Sequence, residues 1–276
     1  MSRAAAQAVL YTQHSAAPSS ISTDRCPMSM NDSMDMESGK GMRCAVFGAS
    51  GGIGRALADL LAARKDVAEV HALARRTIPA GTKVRPHRFD LEDEDSIARA
   101  CGEIGAPLDL VIVATGRLVR DNGDGPEKSW RAISRDGMAE LFAINAIGPA
   151  VIARHTLPLL RREGRPVFAA ISARVGSISD NRLGGWHSYR ASKAALNMLV
   201  RNFAIELART NPSATAVTLH PGTVDTPLSR PFQRSVPADR LFSPEQSAAH
   251  LLAVIDRLTP ADSGQLFAWD GSAIPF

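Results

Sequence analysis

Gly48-Ala49-Ser50-Gly51-Gly52-Ile53-Gly54 is the stretch on which the reading of this chain turns. It follows the apolar run Cys44-Ala45-Val46-Phe47 and leads at once into an amphipathic segment with Ala56, Leu57, Leu60 and Leu61 at helical spacing. A strand that turns through glycines into a helix brings its backbone up to the helix N-terminus, where free N–H groups and the dipole favour a pyrophosphate. The spacing is G-x-x-x-G-x-G, so Gly48, Gly52 and Gly54 are the candidate cofactor glycines, with Ser50 and Ile53 between them. A glycine motif alone can be a mobile turn; strand, loop and helix in this order favour the nucleotide reading.

Outward from this loop, short apolar runs alternate with longer amphipathic segments. CAVF is followed by 53–64, VAEVHALA by a loop, VRPHRF by 93–101, and LDLVIVA by helical material through 163. PVFAAIS, an Ala-rich helix from about 189 to 209, TAVTLH, a Pro-rich insert, a helix over 244–258 and QLFAW complete the series. Strands separated by helices imply parallel crossovers, because a parallel pair needs a long connection. The pattern predicts an α/β fold: a single doubly wound Rossmann domain over 42–276 with a seven-stranded parallel sheet, its ligand site at the carboxyl ends of the strands. Residues 1–41 read differently. Six of the eight methionines, Met1, Met28, Met30, Met34, Met36 and Met42, fall here or at its boundary among Ser, Asp and Asn, without apolar periodicity. This stretch is expected to be a disordered extension, or a start assigned too early with translation beginning at Met42.

Composition narrows the function classes. With 276 residues, 45% hydrophobic and 22% charged, the chain suits one large domain. No stretch approaches the roughly 18 consecutive apolar residues of a spanning helix, so no membrane partner is expected. The 32 basic and 28 acidic residues are spread without basic clusters, which argues against nucleic acid. Cys26, Cys44 and Cys101 have neither disulfide density nor zinc spacing; a reducing, cytoplasmic location is expected. His155, His220 and His250 also lack metal-ligand spacing, and no metal is expected.

About 20 residues beyond Gly54, where an NAD-specific domain places an acid on the ribose diol, the chain has Ala74-Arg75-Arg76. Two guanidiniums in place of an acid suit a 2′-phosphate, so NADP(H) is favoured over NAD(H); solvated loop charges are the alternative. Asp90, followed by Leu91, either accepts from the adenine amino group or caps the helix beginning near Asp93. Tyr189-Arg190-Ala191-Ser192-Lys193 sets a phenol and an ammonium at i, i+4 on one helix face. A cation there favours phenolate and makes a tyrosine of ordinary pKa ~10 useful near neutrality. A packed aromatic beside a solvated charge is the alternative.

Together GASGGIG, INAIG, YRASK and HPGTVDT, in this order across nearly all of 43–276, resemble the short-chain dehydrogenase/reductase family. RVGSISDN, YRASKAALN and WDGSAIPF look most like its C-factor-like branch. The resemblance implies Tyr189 as general acid or base for hydride transfer to or from a small carbonyl or alcohol. It implies Lys193 as the group that depresses the tyrosine pKa and holds the nicotinamide ribose. Asn145 matches the asparagine that holds a relay water; its residue chemistry equally suits a helix kink beside Gly148 and Pro149. Thr226, with the Val224 backbone nearby, matches the carboxamide contact, Pro221-Gly222 the turn before it, and Gly116 the backbone approach after the fourth strand. A homodimer or homotetramer is expected by family analogy alone.

Two positions depart from the family pattern. Ala173 stands where the carbonyl-polarising serine is expected; Ser172 is the first substitute, though strand alternation turns it the other way unless the end is bulged, and Ser177 is the second. Val113-Ala114-Thr115-Gly116 replaces the usual Asn-Asn-Ala-Gly, removing the amides that brace the sheet. The insert PLSRPFQRSVPADRLFS between Thr226 and Pro244 reads as a substrate lid, with Arg230, Arg234, Arg240, Phe232 and Phe242 as surface. Trp186 and His187 are further candidates for the pocket wall. The competing function is a cofactor-binding, C-factor-like signalling or scaffold protein with little turnover.

Overall fold

The computed structural model describes residues 41–105, 107–120, 122–237 and 240–276. The expectation for residues 1–41 therefore falls, up to residue 40, outside the described residues; Met42 opens the first strand. The described residues fall in one compact unit.

Its centre is an eight-stranded sheet in the order β10-β9-β6-β5-β4-β1-β2-β3. The strands are β1 (Met42–Phe47), β2 (Val67–Ala74), β3 (Val84–Arg88), β4 (Leu110–Val113), β5 (Val167–Ile171), β6 (Thr215–His220), β9 (Leu266–Ala268) and β10 (Ala273–Ile274). β7 (Thr223–Val224) and β8 (Leu241–Phe242) form a separate two-stranded ribbon. Within the large sheet every pairing is parallel except β9 with β10. The seven expected parallel strands are present, and the eighth is a two-residue antiparallel edge that returns through a turn at Gly271, φ +85°. Two residues carry no periodicity, so sequence patterning does not reveal such a strand.

Helices cover both faces, which is why the strands read as apolar runs and not as alternations. α1 (Gly52–Ala63) and α6 (Pro244–Ile255) bury Leu57, Leu61, Leu251 and Ile255 against Val46, Ile112, Val217 and Leu219. On the other face α2 (Glu94–Ile104), α4 (Gly148–Thr156) and α5 (His187–Thr210) bury Ile97, Ile152, Leu196 and Val200 against Phe47, Val111, Phe168 and Ala170. β3 is the exception. It lies at the edge, is mostly exposed, and tolerates Pro86 there because an edge strand can spare one donor.

The helical material expected through 163 is broken into α3 (Arg135–Phe142), a π-helical turn over Ala143–Ile147, α4 and a short 3-10 turn over Leu157–Leu159. By length and composition the run Arg135–Leu159 is apolar enough to cross a membrane, which a count of consecutive apolar residues misses. Much of that hydropathy is spent inside the protein: Leu141, Ile144, Ile152 and Ala153 are buried.

The strand order reverses between β1 and β4. Strands β1 to β3 build outward on one side and β4, β5, β6 and β9 on the other, so a crevice opens at the carboxyl ends of β1 and β4.

Candidate active site

The glycine loop is fixed by its own backbone. Gly48 and Ala49 both donate to the Leu73 carbonyl at 2.9 and 3.0 Å, and Gly51 donates to the Gly48 carbonyl at 3.0 Å. Gly48 has φ +88°, in the left-handed region that disfavours side chains. A Cβ at Gly54 would lie 2.3 Å from the Gly48 carbonyl oxygen, so only glycine lets α1 start this close to the turn. A Cβ at Gly52 would lie 2.9 Å from Cγ2 of Thr226, which brings the Thr226 segment against the loop. α1 has no side-chain cap among the described residues and no acid in its first turn, leaving its N-terminal donors to an anion.

Beside this loop a groove of about 210 Å³ is lined by Gly48, Ser50, Arg75, Asp90, Leu91 and Gly116, among others. Arg75 is exposed at the end of β2 and reaches the groove; Arg76 is exposed but is not among its lining residues. The two readings of Asp90 part here. Asp93 caps α2, accepting from the Ser96 amide at 3.2 Å, while the Asp90 carboxylate accepts from the Glu92 amide at 3.2 Å and Asp90 borders the groove. Leu91 fills the space over Gly148, where a Cβ would come within 2.4 Å of its Cγ. Glycine loop and uncapped helix together fit the pyrophosphate of a dinucleotide, with Arg75 at the strand end beside them.

Ala114, Thr115 and Gly116 line this groove and also a second cavity of about 390 Å³ at the ends of β4, β5 and β6. One trough therefore runs across the switch point. The second cavity is walled by Ile53, Leu118, Ala173, Val175, Trp186, Tyr189, Lys193, Pro221, Gly222, Val224, Thr226 and Phe232, with others. His187, Arg230, Arg234, Arg240 and Phe242 are not in this wall; Phe242 instead packs on Trp269 and His250 at 4.7 and 5.1 Å between ring centroids. The expected cationic lid surface thus lies off the cavity, while Phe232 and Trp186, 5.1 Å apart, face one another at its wall. The turn at Gly222 has φ +77°, and a Cβ there would meet the Phe242 ring at 2.7 Å.

Tyr189 and Lys193 are both buried, 7% and 3% exposed. The Lys193 ammonium donates to the Ile171 carbonyl at 2.9 Å and lies 6.0 Å from the Tyr189 ring centroid. Burial pushes the lysine down to about 8 and the tyrosine up to about 12. The expectation that Lys193 depresses the tyrosine pKa is corrected on this point: loss of hydration disfavours the phenolate more than a cation engaged with a carbonyl favours it. At neutral pH the pair is a neutral phenol beside an ammonium.

Asn145 is fully buried in the π-helical turn. Its Oδ1 accepts from the Arg117 amide at 2.8 Å, and its Nδ2 donates to the Arg117 carbonyl at 2.8 Å and the Ser192 hydroxyl at 3.0 Å. The Ser192 hydroxyl donates in turn to the Tyr189 carbonyl at 2.8 Å. Asn145 sits in a helix irregularity, and its amide bonds the loop after β4 and α5.

Both candidate serines already have partners. The Ser172 hydroxyl is buried and donates to Asn197 Oδ1 at 2.7 Å. Ser177 donates to the Pro275 carbonyl and accepts from the Asp180 amide at 3.1 Å. Ala173 lies against the cavity, packed on the cluster of Leu118, Leu141 and Tyr189. Ser172 is itself among the residues lining the cavity, with its hydroxyl engaged by Asn197. On the β4 side Thr115 Oγ1 is buried without a partner among the described residues, the cost of a loop that lacks the usual amides.

Glu127 is a residue that sequence reasoning did not single out. It is 8% exposed and bonds Ser188 at the start of α5. In the sequence it stands in Gly125-Pro126-Glu127-Lys128, a polar loop with no signal of burial.

Residues 43–236 match a family described as short chain dehydrogenase. The 1-hydroxy-2-glutathionyl-2-methyl-3-butene dehydrogenase of Rhodococcus sp. (strain AD45) is 36% identical over 197 residues, 70% of this chain and 80% of that one. The C-signal protein of Myxococcus xanthus is 37% identical over 174 residues, 62% of this chain and 93% of that one. Among solved structures, the NADPH-bound carbonyl reductase from chicken fatty liver superposes with a TM-score of 0.73 at 25% identity, covering 86% of this chain and all of that one.

Proposed function

The chain belongs to the short-chain dehydrogenase family of oxidoreductases, and from that premise we propose that it is an NADP(H)-dependent carbonyl reductase in which Tyr189 carries the proton. The observation that carries this reading is one helical turn of α5. Tyr189 and Lys193 share the wall of a single apolar cavity that continues into the groove holding Arg75. A nicotinamide cofactor, when bound, supplies or accepts hydride at the carbonyl carbon. The chain's own residues do the rest. Tyr189 donates its phenolic proton to the carbonyl oxygen, a role that suits a phenol kept neutral by burial. The Lys193 ammonium stands within range to steady the phenolate that this leaves. Asn145 retains a lone pair on Oδ1 at which a relay water would be held, and it ties the Gly116–Arg117 loop to α5.

The neutral phenol favours reduction as the working direction. Trp186, Phe232, Leu118 and Val175 suit an apolar body on the small carbonyl substrate. NADP(H) over NAD(H) rests on Arg75, which lines the groove beside the glycine loop, and is supported by the likeness to a carbonyl reductase solved with NADPH. The cytoplasmic location, the homo-oligomeric state and a single domain over 42–276 belong to the same proposal. A second reading, a cofactor-binding signalling or scaffold protein with little turnover, is favoured by one observation: Ala173 has no hydroxyl, and the hydroxyls of the neighbouring Ser172 and Ser177 are engaged by Asn197 and Pro275. The loss of one such donor costs on the order of 3 kcal/mol of transition-state stabilisation, enough to slow a reductase and not to abolish it.

The test is cofactor consumption by the purified chain over a panel of aryl and alicyclic ketones, with NADPH and with NADH. Turnover with NADPH at the higher kcat/KM is expected. Tight NADPH binding without consumption across the panel would favour the scaffold reading instead.

A further inference from the structure

The helix that carries Tyr189 starts under strain. Trp186, just before α5, has φ +53° and ψ +40° and is the non-glycine residue with positive φ among those described. A bulky side chain in that region is costly and persists only where its surroundings over-determine it. Gly184 and Gly185, the two residues before it, are left-handed as well, at φ +61° and +64°. The Trp186 ring stands between the lid and the phenol, 5.1 Å from Phe232 and 6.2 Å from Tyr189 between centroids.

What holds this turn is remote in sequence. α2, α3 and α6 are capped by their own residues Asp93, Ser134 and Ser243. At α5 the cap residue makes no such bond, and the acceptor is Glu127, 61 positions before Ser188. Glu127 Oε2 accepts from the Ser188 amide at 3.2 Å and Oε1 from the Ser188 hydroxyl. Its backbone carbonyl accepts from the Trp186 amide at 2.5 Å. Burial alone would raise the Glu127 pKa, but the bonds from Ser188, its own backbone amide and the nearby His187 together hold the carboxyl below its ordinary range. A carboxylate at a helix N-terminus is also favoured by the dipole.

We propose that Glu127 is a positioning residue for Tyr189: by clamping the left-handed Trp186 and the Ser188 that follows, it fixes both the phenol and the aromatic wall between phenol and lid. The inference rests on Tyr189 being the proton donor proposed above. Glu127 acts through the first turn of α5 and touches none of the reacting atoms. A local serine or aspartate serves as a cap elsewhere in this fold. Three acceptances from two residues flanking a strained turn do more than end a helix: they define where residue 189 sits.

The test compares the full chain with Glu127→Ala, Glu127→Gln and Glu127→Asp, reading kcat, the KM for NADPH, and hydrogen exchange of amides 186–190 against 197–207. In Glu127→Ala, kcat is expected to fall about 10–100-fold, as for a displacement on the order of 1 Å, while the KM for NADPH stays within about twofold. Exchange at 186–190 should quicken with 197–207 unchanged. Glu127→Gln, which keeps the shape but one acceptor oxygen, should lie between Ala and wild type, and Glu127→Asp should recover part of kcat. If the alanine variant fails to fold, the glutamine variant carries the same split. Faster exchange with unaltered kcat would leave a plain cap and overturn the proposal, as would unaltered exchange, or kcat and KM for NADPH moving together. A wild-type chain that reduces no carbonyl defeats the reductase reading at the control and this inference with it; an active wild type matched by its variants defeats the inference alone.

Discussion

The two ends of the trough are built by different means. At the nucleotide end the chain contributes backbone: glycines at 48, 52 and 54, an uncapped helix start and a strand end at Arg75, all within 28 residues. At the catalytic end it contributes side chains brought together over long range. Asn145 ties the loop at Arg117 to Ser192, Lys193 bonds Ile171, and Glu127 bonds Ser188. The first end leaves little room for change because a Cβ at Gly54 would meet backbone at 2.3 Å. On the proposed function, nucleotide binding and proton placement rest on separate parts of the trough, and substitutions at the two ends should move different observables.

The largest separation is expected from Tyr189→Phe. Removing the hydroxyl should lower kcat for ketone reduction by about 10²–10⁴-fold while NADPH affinity, followed by fluorescence titration, stays unchanged. Gly54→Ala should do the reverse. Its Cβ would meet the Gly48 carbonyl oxygen at 2.3 Å, so the turn must shift; a cost of about 1–3 kcal/mol should appear as weaker NADPH binding and a lower Tm. Arg75→Ala should reduce the preference for NADPH over NADH about tenfold or more, the worth of one charge-assisted bond, with kcat retained. Arg76→Ala should change it less, since Arg76 is not in the groove wall. Equal affinities for the two cofactors in the wild type would remove Arg75 from its proposed role.

The pH profile gives a smaller and graded effect. Burial lowers Lys193 to about 8 from an ordinary value of 10.5, so its ammonium is lost as pH rises through about 8, whereas Tyr189 keeps its proton until about 12. For reduction, log kcat/KM should be level below about pH 8 and fall above it, and Lys193→Arg should remove that inflection. A fall beginning near pH 10 or above would mean that the lysine is not the titrating group.

The same contrast explains how much was legible in the sequence. The fold followed from apolar runs spaced by amphipathic ones, and the glycine loop from contiguous residues whose geometry is local. The two-residue β10 and the π-helical turn at Ala143–Ile147 were not legible, because neither has a periodicity of its own. At the catalytic end the residue types were readable and their bonds were not. Sequence spacing places Tyr189 and Lys193 on one face, yet it does not reveal that Ile171 holds the ammonium or that burial moves the phenol upward. Ser172 reaches the cavity lining, but the partner of its hydroxyl, Asn197, is 25 positions away and gave no sign in the sequence. Glu127 was invisible because an acid in a polar loop reads as solvated; its burial depends on a partner 61 positions away.

The central claim, that this trough transfers hydride and does not only hold the cofactor, is tested most directly by following deuterium from C4 of labelled NADPH during reduction of an aryl ketone. The expected result is one deuterium on the alcohol carbon for each NADPH consumed by the wild type, with transfer nearly lost in Tyr189→Phe. NADPH held tightly with no deuterium in the organic product, or equal transfer by the Phe variant, would contradict the account.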